Sequence, residues 1–104
     1  MHNSEIQQDR ITSEDVTPDF YRYEYPKVRL VRVYEPGIAP QEPNPYKFAV
    51  IAEIAESGLC VIKALSKPKN LTISDMKAGY RHLRKFGAVE LHWRHDGQEQ
   101  VFSG

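Results

Sequence analysis

The clearest pattern of hydrophobic and polar positions lies between Leu71 and Trp93, where a helical period gives way to strict alternation. Ile73, Met76, Tyr80, Leu83 and Phe86 recur at helical spacing, which predicts one amphipathic helix. Thr72 is placed to cap it, Asp75 at the third helical position to bond back, and Leu71 to staple onto Met76. Gly87 stands where a left-handed C-cap belongs. Val89, Leu91 and Trp93 alternate directly afterwards, so a strand follows that can share a core with the helix.

Upstream, alternation dominates. Tyr21, Tyr23 and Tyr25 alternate with Arg22 and Glu24, the pattern of a half-exposed strand that Pro26 interrupts. Lys27 to Tyr34 resumes as a strand, with Val28 and Leu30 on one face and Val31 and Val33 on the other. That slip in phase implies either cover on both faces or a bulge near Leu30-Val31, and the bulge is the slightly preferred reading. Five residues of 36–45 are Pro or Gly, so this segment reads as a stiff exposed loop. Lys47 to Glu56 and Leu59 to Leu65 flank Ser57-Gly58 as a β-hairpin. A helix over 47–56 competes, but Val50, Ile51, Ile54, Val61 and Ile62 are β-branched and favour strands. Asp96-Gly97 marks a second hairpin between Leu91–His95 and Gln98–Phe102.

Residues 1–18 break the pattern, since Ile6, Ile11 and Val16 are spaced by five and fit neither period. They read as a polar, acidic and disordered arm ahead of a single domain over 19–104. The expected fold class is therefore α+β: a small, mostly antiparallel sheet in β-β-β-α-β-β order, packed on one helix. The expected core adds Val50, Ile54, Val61, Leu65, Val89, Leu91 and Trp93 to the apolar helix positions.

A chain of 104 residues supports one modest core. Its formal charge is zero, so the total favours no partner. The distribution is less even, and the plain reading is an acidic start and a basic middle that attract each other. Residues 1–26 carry a net −4 and residues 63–85 a net +6, where Asp75 is the one acid among seven cations. The lone Cys60 excludes an internal disulfide and points to a reducing compartment. With no apolar run near the roughly 20 residues of a bilayer span and no hydrophobic leader, the expectation is a cytoplasmic protein without membrane contact.

Six features carry candidate chemistry. Lys77, Arg81, Arg84 and Lys85 cluster on one flank of the predicted helix, a surface suited to phosphates or to an acidic protein, or else an ordinary solvated face. Lys67 and Lys69 flank the helix N-terminus, where free amides can hold an anion, although Thr72 and Asp75 compete for that position. Tyr21, Tyr23 and Tyr25 offer an interaction surface, or one aromatic face packed on the sheet. His82, His92 and His95 lack metal-ligand spacing, and His2 lies in the arm, so no metal is expected. Cys60 lies in the apolar run Leu59–Ile62 and reads as a buried, inert thiol. Pro40-Gln41-Glu42-Pro43 has PxxP spacing without an adjacent arginine, adequate as a stiff loop and weak as a docking ligand.

Three antiparallel strands, a helix and a further strand resemble, over about residues 27–95, the central core of the GNAT acetyltransferases. The resemblance extends to Leu83-Arg84-Lys85-Phe86-Gly87 running into a strand. It implies a coenzyme A pyrophosphate site at Ser66-Lys67-Pro68-Lys69-Asn70-Leu71, where the family's glycine-bearing motif is absent. It also implies a truncated relative without catalysis. The leading expectation is a non-enzymatic binding or adaptor module that uses the basic flank on a negatively charged protein or nucleic acid. The alternatives are an acyl-coenzyme A binder at the 66–72 turn and a homo-oligomer built through the tyrosine-rich segment as an edge strand.

Overall fold

The computed structural model describes residues 10–41 and 43–104. Six strands, β1 (Ile11–Asp15), β2 (Lys27–Val33), β3 (Phe48–Ile54), β4 (Leu59–Leu65), β5 (Glu90–His95) and β6 (Gln98–Ser103), form one sheet in sequential order. One helix, α1 (Ile73–Arg84), crosses from β4 to β5, which makes that pair parallel while every other pair is antiparallel. The molecule is thus the α+β domain that the periodicities predict, with one more strand at its start.

The helix forms where its sequence signals place it. Thr72 Oγ1 accepts the Asp75 amide, and Leu71 and Met76 are both buried across the cap. At the other end Gly87 has φ +105°, the Gly87 amide reaches Arg84 O and the Ala88 amide reaches Leu83 O. That pair of bonds is a Schellman motif, and a residue with a β-carbon is strained at its left-handed position. Met76, Tyr80 and Leu83 bury against Val31, Val33, Phe48, Val50, Ala52, Ile54, Leu91 and Trp93. Ile73 and Phe86, expected in this core, are exposed at the two ends of the helix, and so is Val89. Ala88 fills the inward position instead, while the Val89 amide donates to Gly58 O at 2.8 Å just before β5 begins. Val61 and Leu65 are half-buried.

Three local expectations change. Residues 11–15, assigned to the arm, are β1, while residues 1–9 lie outside the described residues. Residues 20–25, read as a strand, are a 3-10 turn over Asp19–Tyr21 followed by turns and bends up to a cis Tyr25–Pro26 bond. No strand pairs with them, and without a cross-strand partner tyrosine's strand preference has nothing to act on. β2 runs unbroken against both neighbours, so its slip in phase reflects cover on both sides: Val28 is buried opposite Val31 and Val33. The irregularity lies in β4, where Ile51 pairs with Ala64 but Ala52 pairs with Ile62, leaving Lys63 as the extra residue.

Candidate functional site

The two ends of α1 use charge in opposite ways. At the N-terminal end, Asp75 is 4% exposed and receives Arg10 Nη2 at 2.9 Å on one oxygen and Lys47 Nζ on the other. Burial alone would raise its pKa, but the bonds to Lys47, Arg10 and Thr72 and the lysine charge outweigh that and hold it below the ordinary value. This triad ties the starts of β1 and β3 to the helix. Asn70 Nδ2 donates to Lys47 O at 2.8 Å, and Lys67 Nζ donates to Tyr46 O at 3.2 Å and lies 4.6 Å from the Tyr46 ring. Lys69 is exposed.

The expected anion turn at 66–71 is therefore a 3-10 turn over Pro68–Asn70 whose amides of Asn70 and Leu71 bond back to Lys67 O and Pro68 O. Lys67 itself occupies the left-handed region, φ 50°, a conformation that suits glycine better. With a carboxylate buried in the first turn and these donors engaged, the turn offers little to a phosphate.

On the outer face of α1, Lys77, Arg81, Arg84 and Lys85 are all exposed. Among the described residues none of the four has an ion pair, and Arg84 lies 5.9 Å from the Tyr80 ring. Three of the four acids of 10–26 are directed elsewhere: Glu14 to Arg32 at 3.5 Å, Asp15 to the Thr17 amide at 2.8 Å, and Asp19 to Arg22 at 2.8 Å. Among the described residues none of these three acids pairs with the basic face.

Below the C-terminal end of the helix, Arg29 packs on the Phe86 ring at 3.6 Å and donates twice to Ser13 Oγ, which also contacts His82 Nε2 at 2.8 Å. Burial, then the charges of Lys85 and Arg29, lower the His82 pKa and keep the ring neutral at pH 7. Neutral His82 accepts the Ser13 proton while both serine acceptor positions serve Arg29. The cluster is a hydrogen-bonded network joining β1, β2 and α1.

The sequence reading missed a cleft. β4 and β5 pair only through Leu59–Val61 and Glu90–His92, and beyond that an opening of about 390 Å³ lies between Val61–Leu65 and His92, Trp93, Arg94 and Glu99. The polar Lys63 inside the apolar run Leu59–Leu65 was the sequence signal for the bulge at its wall. Trp93 lines it, and its buried indole N–H has no acceptor among the described residues. At the rim His92 bonds Glu90 at 2.7 Å and Glu99 at 3.0 Å, contacts that raise its pKa. His95 lies 3.6 Å from Asp96, and among the described residues no cluster of histidine, cysteine and carboxylate ligands could hold a metal. Cys60 is fully buried and burial pushes its thiol up to about 12, so it is not a nucleophile.

Of the remaining interaction residues, Tyr21 is partly exposed in the 3-10 turn, while Tyr23 and Tyr25 project from the turn that follows. None of them lies on a strand, so edge pairing through this segment has no backbone to use; the sheet's edges are β1 and β6. No helix among the described residues is long and apolar enough to cross a membrane. Comparison with protein-family models, curated proteins and solved structures finds no match.

Proposed function

We propose that this protein is a non-enzymatic binding module whose outer helix face, Lys77, Arg81, Arg84 and Lys85, contacts a phosphate-bearing partner. One observation carries the reading: among the described residues four exposed cations on one helix face have no ion pair, while Asp75, the acid on the same helix, is engaged by Arg10 and Lys47. Four such cations would release about four counterions on a polyanion, so affinity would fall steeply with salt. The test uses inorganic polyphosphate. Binding is expected to weaken as salt rises and to be lost in the Arg81→Glu/Arg84→Glu variant. Binding that ignores both salt and the charge reversal would remove the reading.

A second reading, an acyl-coenzyme A binder, is favoured by the β4–β5 cleft. It opens where two parallel strands diverge, a common place for ligands in sheets, and Leu65 on its wall leads directly into the 66–71 turn. Apolar Val61, Ile62 and Leu65 fit an acyl arm, and the indole N–H of Trp93 could meet a carbonyl. The turn fits a pyrophosphate less well, for the reasons of capping and strain above. Coenzyme A at saturating concentration is expected to raise the melting temperature if this reading holds, and no shift would exclude it.

A further inference from the structure

The chain places the aromatic residues of 20–25 and the exposed helix cations of 77–85 far apart in sequence. The fold brings them to one end of the molecule. Asp15 and Arg29 are cross-strand partners at the end of β1 and the start of β2, from which the 18–26 loop projects. Arg29 then reaches the Phe86 ring at the end of α1, and the charges of Arg22 and Arg29 both act on Asp15. The 18–26 loop, Arg29 and the helix end thus lie at the same end of the molecule.

Phe20 and Tyr23 are open to solvent, while Phe86 is partly covered by Arg29 and by the His82 ring 5.4 Å away. Phe20 is 77% exposed and Tyr23 99% exposed, with the Phe20 and Tyr21 rings 4.5 Å apart. Lys27 Nζ lies 5.4 Å from the Tyr25 ring and donates to Arg22 O, which holds a cation beside the aromatics. The helix cations run from Lys77 to Lys85, a track of about 12 Å that leads to this end.

We infer that this surface binds single-stranded nucleic acid, with phosphates along the basic track and unpaired bases stacked on Phe20, Tyr23 and Phe86. The inference rests on the phosphate-binding reading of the helix face and adds the chemistry of the partner. A basic track alone suits any polyanion. Solvent-facing rings at its end suit a partner with free π-faces, which a duplex hides and a polyphosphate or acidic peptide lacks. Base stacking on such rings tolerates any sequence, so no base-reading side chain is required.

The test is fluorescence anisotropy with a labelled twenty-nucleotide oligothymidylate, its duplex with oligoadenylate, polyphosphate and polyglutamate as probes. The single strand is expected to bind with a log–log salt slope of about −3, as four neutralised phosphates give on a single strand. Phe20→Ala/Tyr23→Ala is expected to weaken that binding by about tenfold or more, with the slope unchanged and polyphosphate binding intact. Both residues are so exposed that an unchanged melting curve is the control for folding. If the double variant binds the oligonucleotide as the parent does, or the duplex binds as tightly as the single strand, the inference is overturned and the phosphate-binding face stands. Polyglutamate displacing the oligonucleotide at equal charge would overturn it in favour of an acidic protein partner. Failure of both polyphosphate and oligonucleotide to bind would end both readings.

Discussion

The N-terminal end of α1 and its outer, C-terminal face contain similar residue types and put them to different use. At the N-terminal end Asp75 is buried and engages Arg10 and Lys47, and Thr72 and Leu71 complete the cap. Along the outer face Lys77, Arg81, Arg84 and Lys85 stand in solvent without ion pairs among the described residues. A charge with its partners built in holds the fold together. A charge left open contributes little to stability and is available to a partner.

Substitutions can break that contrast, and the largest effect belongs to the packing beneath it. Leu83 is 1% exposed in the core, so Leu83→Ala is expected to cost about 2–5 kcal/mol in denaturant unfolding. A midpoint close to the parent's would contradict the burial on which the placement of α1 depends. Asp75→Ala is next, at about 3 kcal/mol, because it strands two partly buried cations. The melting temperature should drop clearly, and a neutral result would mean that the triad is not structural.

The same carboxylate sets an acid limb. Its folded pKa is depressed below the ordinary 3.8, so its contribution is present above that value and is lost as pH falls through the folded pKa. Asp75→Asn should flatten the stability curve in that acid window and leave its shape near neutrality alone. Thr72→Ala removes one cap bond and is expected to cost about 1 kcal/mol. Smallest of all, Arg81→Glu should change stability by less than about 0.5 kcal/mol while weakening polyanion binding. A large loss of stability there would show that the outer face is structural after all.

What was legible in the sequence was local. Thr72, Asp75, Gly87 and the spacing of Met76, Tyr80 and Leu83 define a helix within one stretch of chain, and the helix lies there. β1 was not legible because its inward positions are Ile11, Ser13 and Asp15, of which only the first is apolar. Ser13 is held by Arg29 and His82, and nothing near Ser13 in sequence announces those partners. The tyrosine segment misled for the opposite reason: its alternation is a local preference, and no neighbouring strand takes it up.

The site divides in the same way. The basic residues of the helix face were legible from helical geometry. The β4–β5 cleft depends on the short parallel pairing across a crossover, which no single segment encodes. That the 18–26 loop and the end of α1 share one end of the molecule follows from the β1–β2 register and the return of α1 past Arg29.

The most direct test of the central claim is to follow backbone amide shifts by NMR while polyphosphate is titrated into the protein. Shifts concentrated from Lys77 to Phe86 on the helix, fading as salt is raised, are the predicted result. Shifts concentrated at Val61–Leu65, His92–Arg94 and the 66–71 turn, with the helix silent, would contradict it and move the binding site to the cleft.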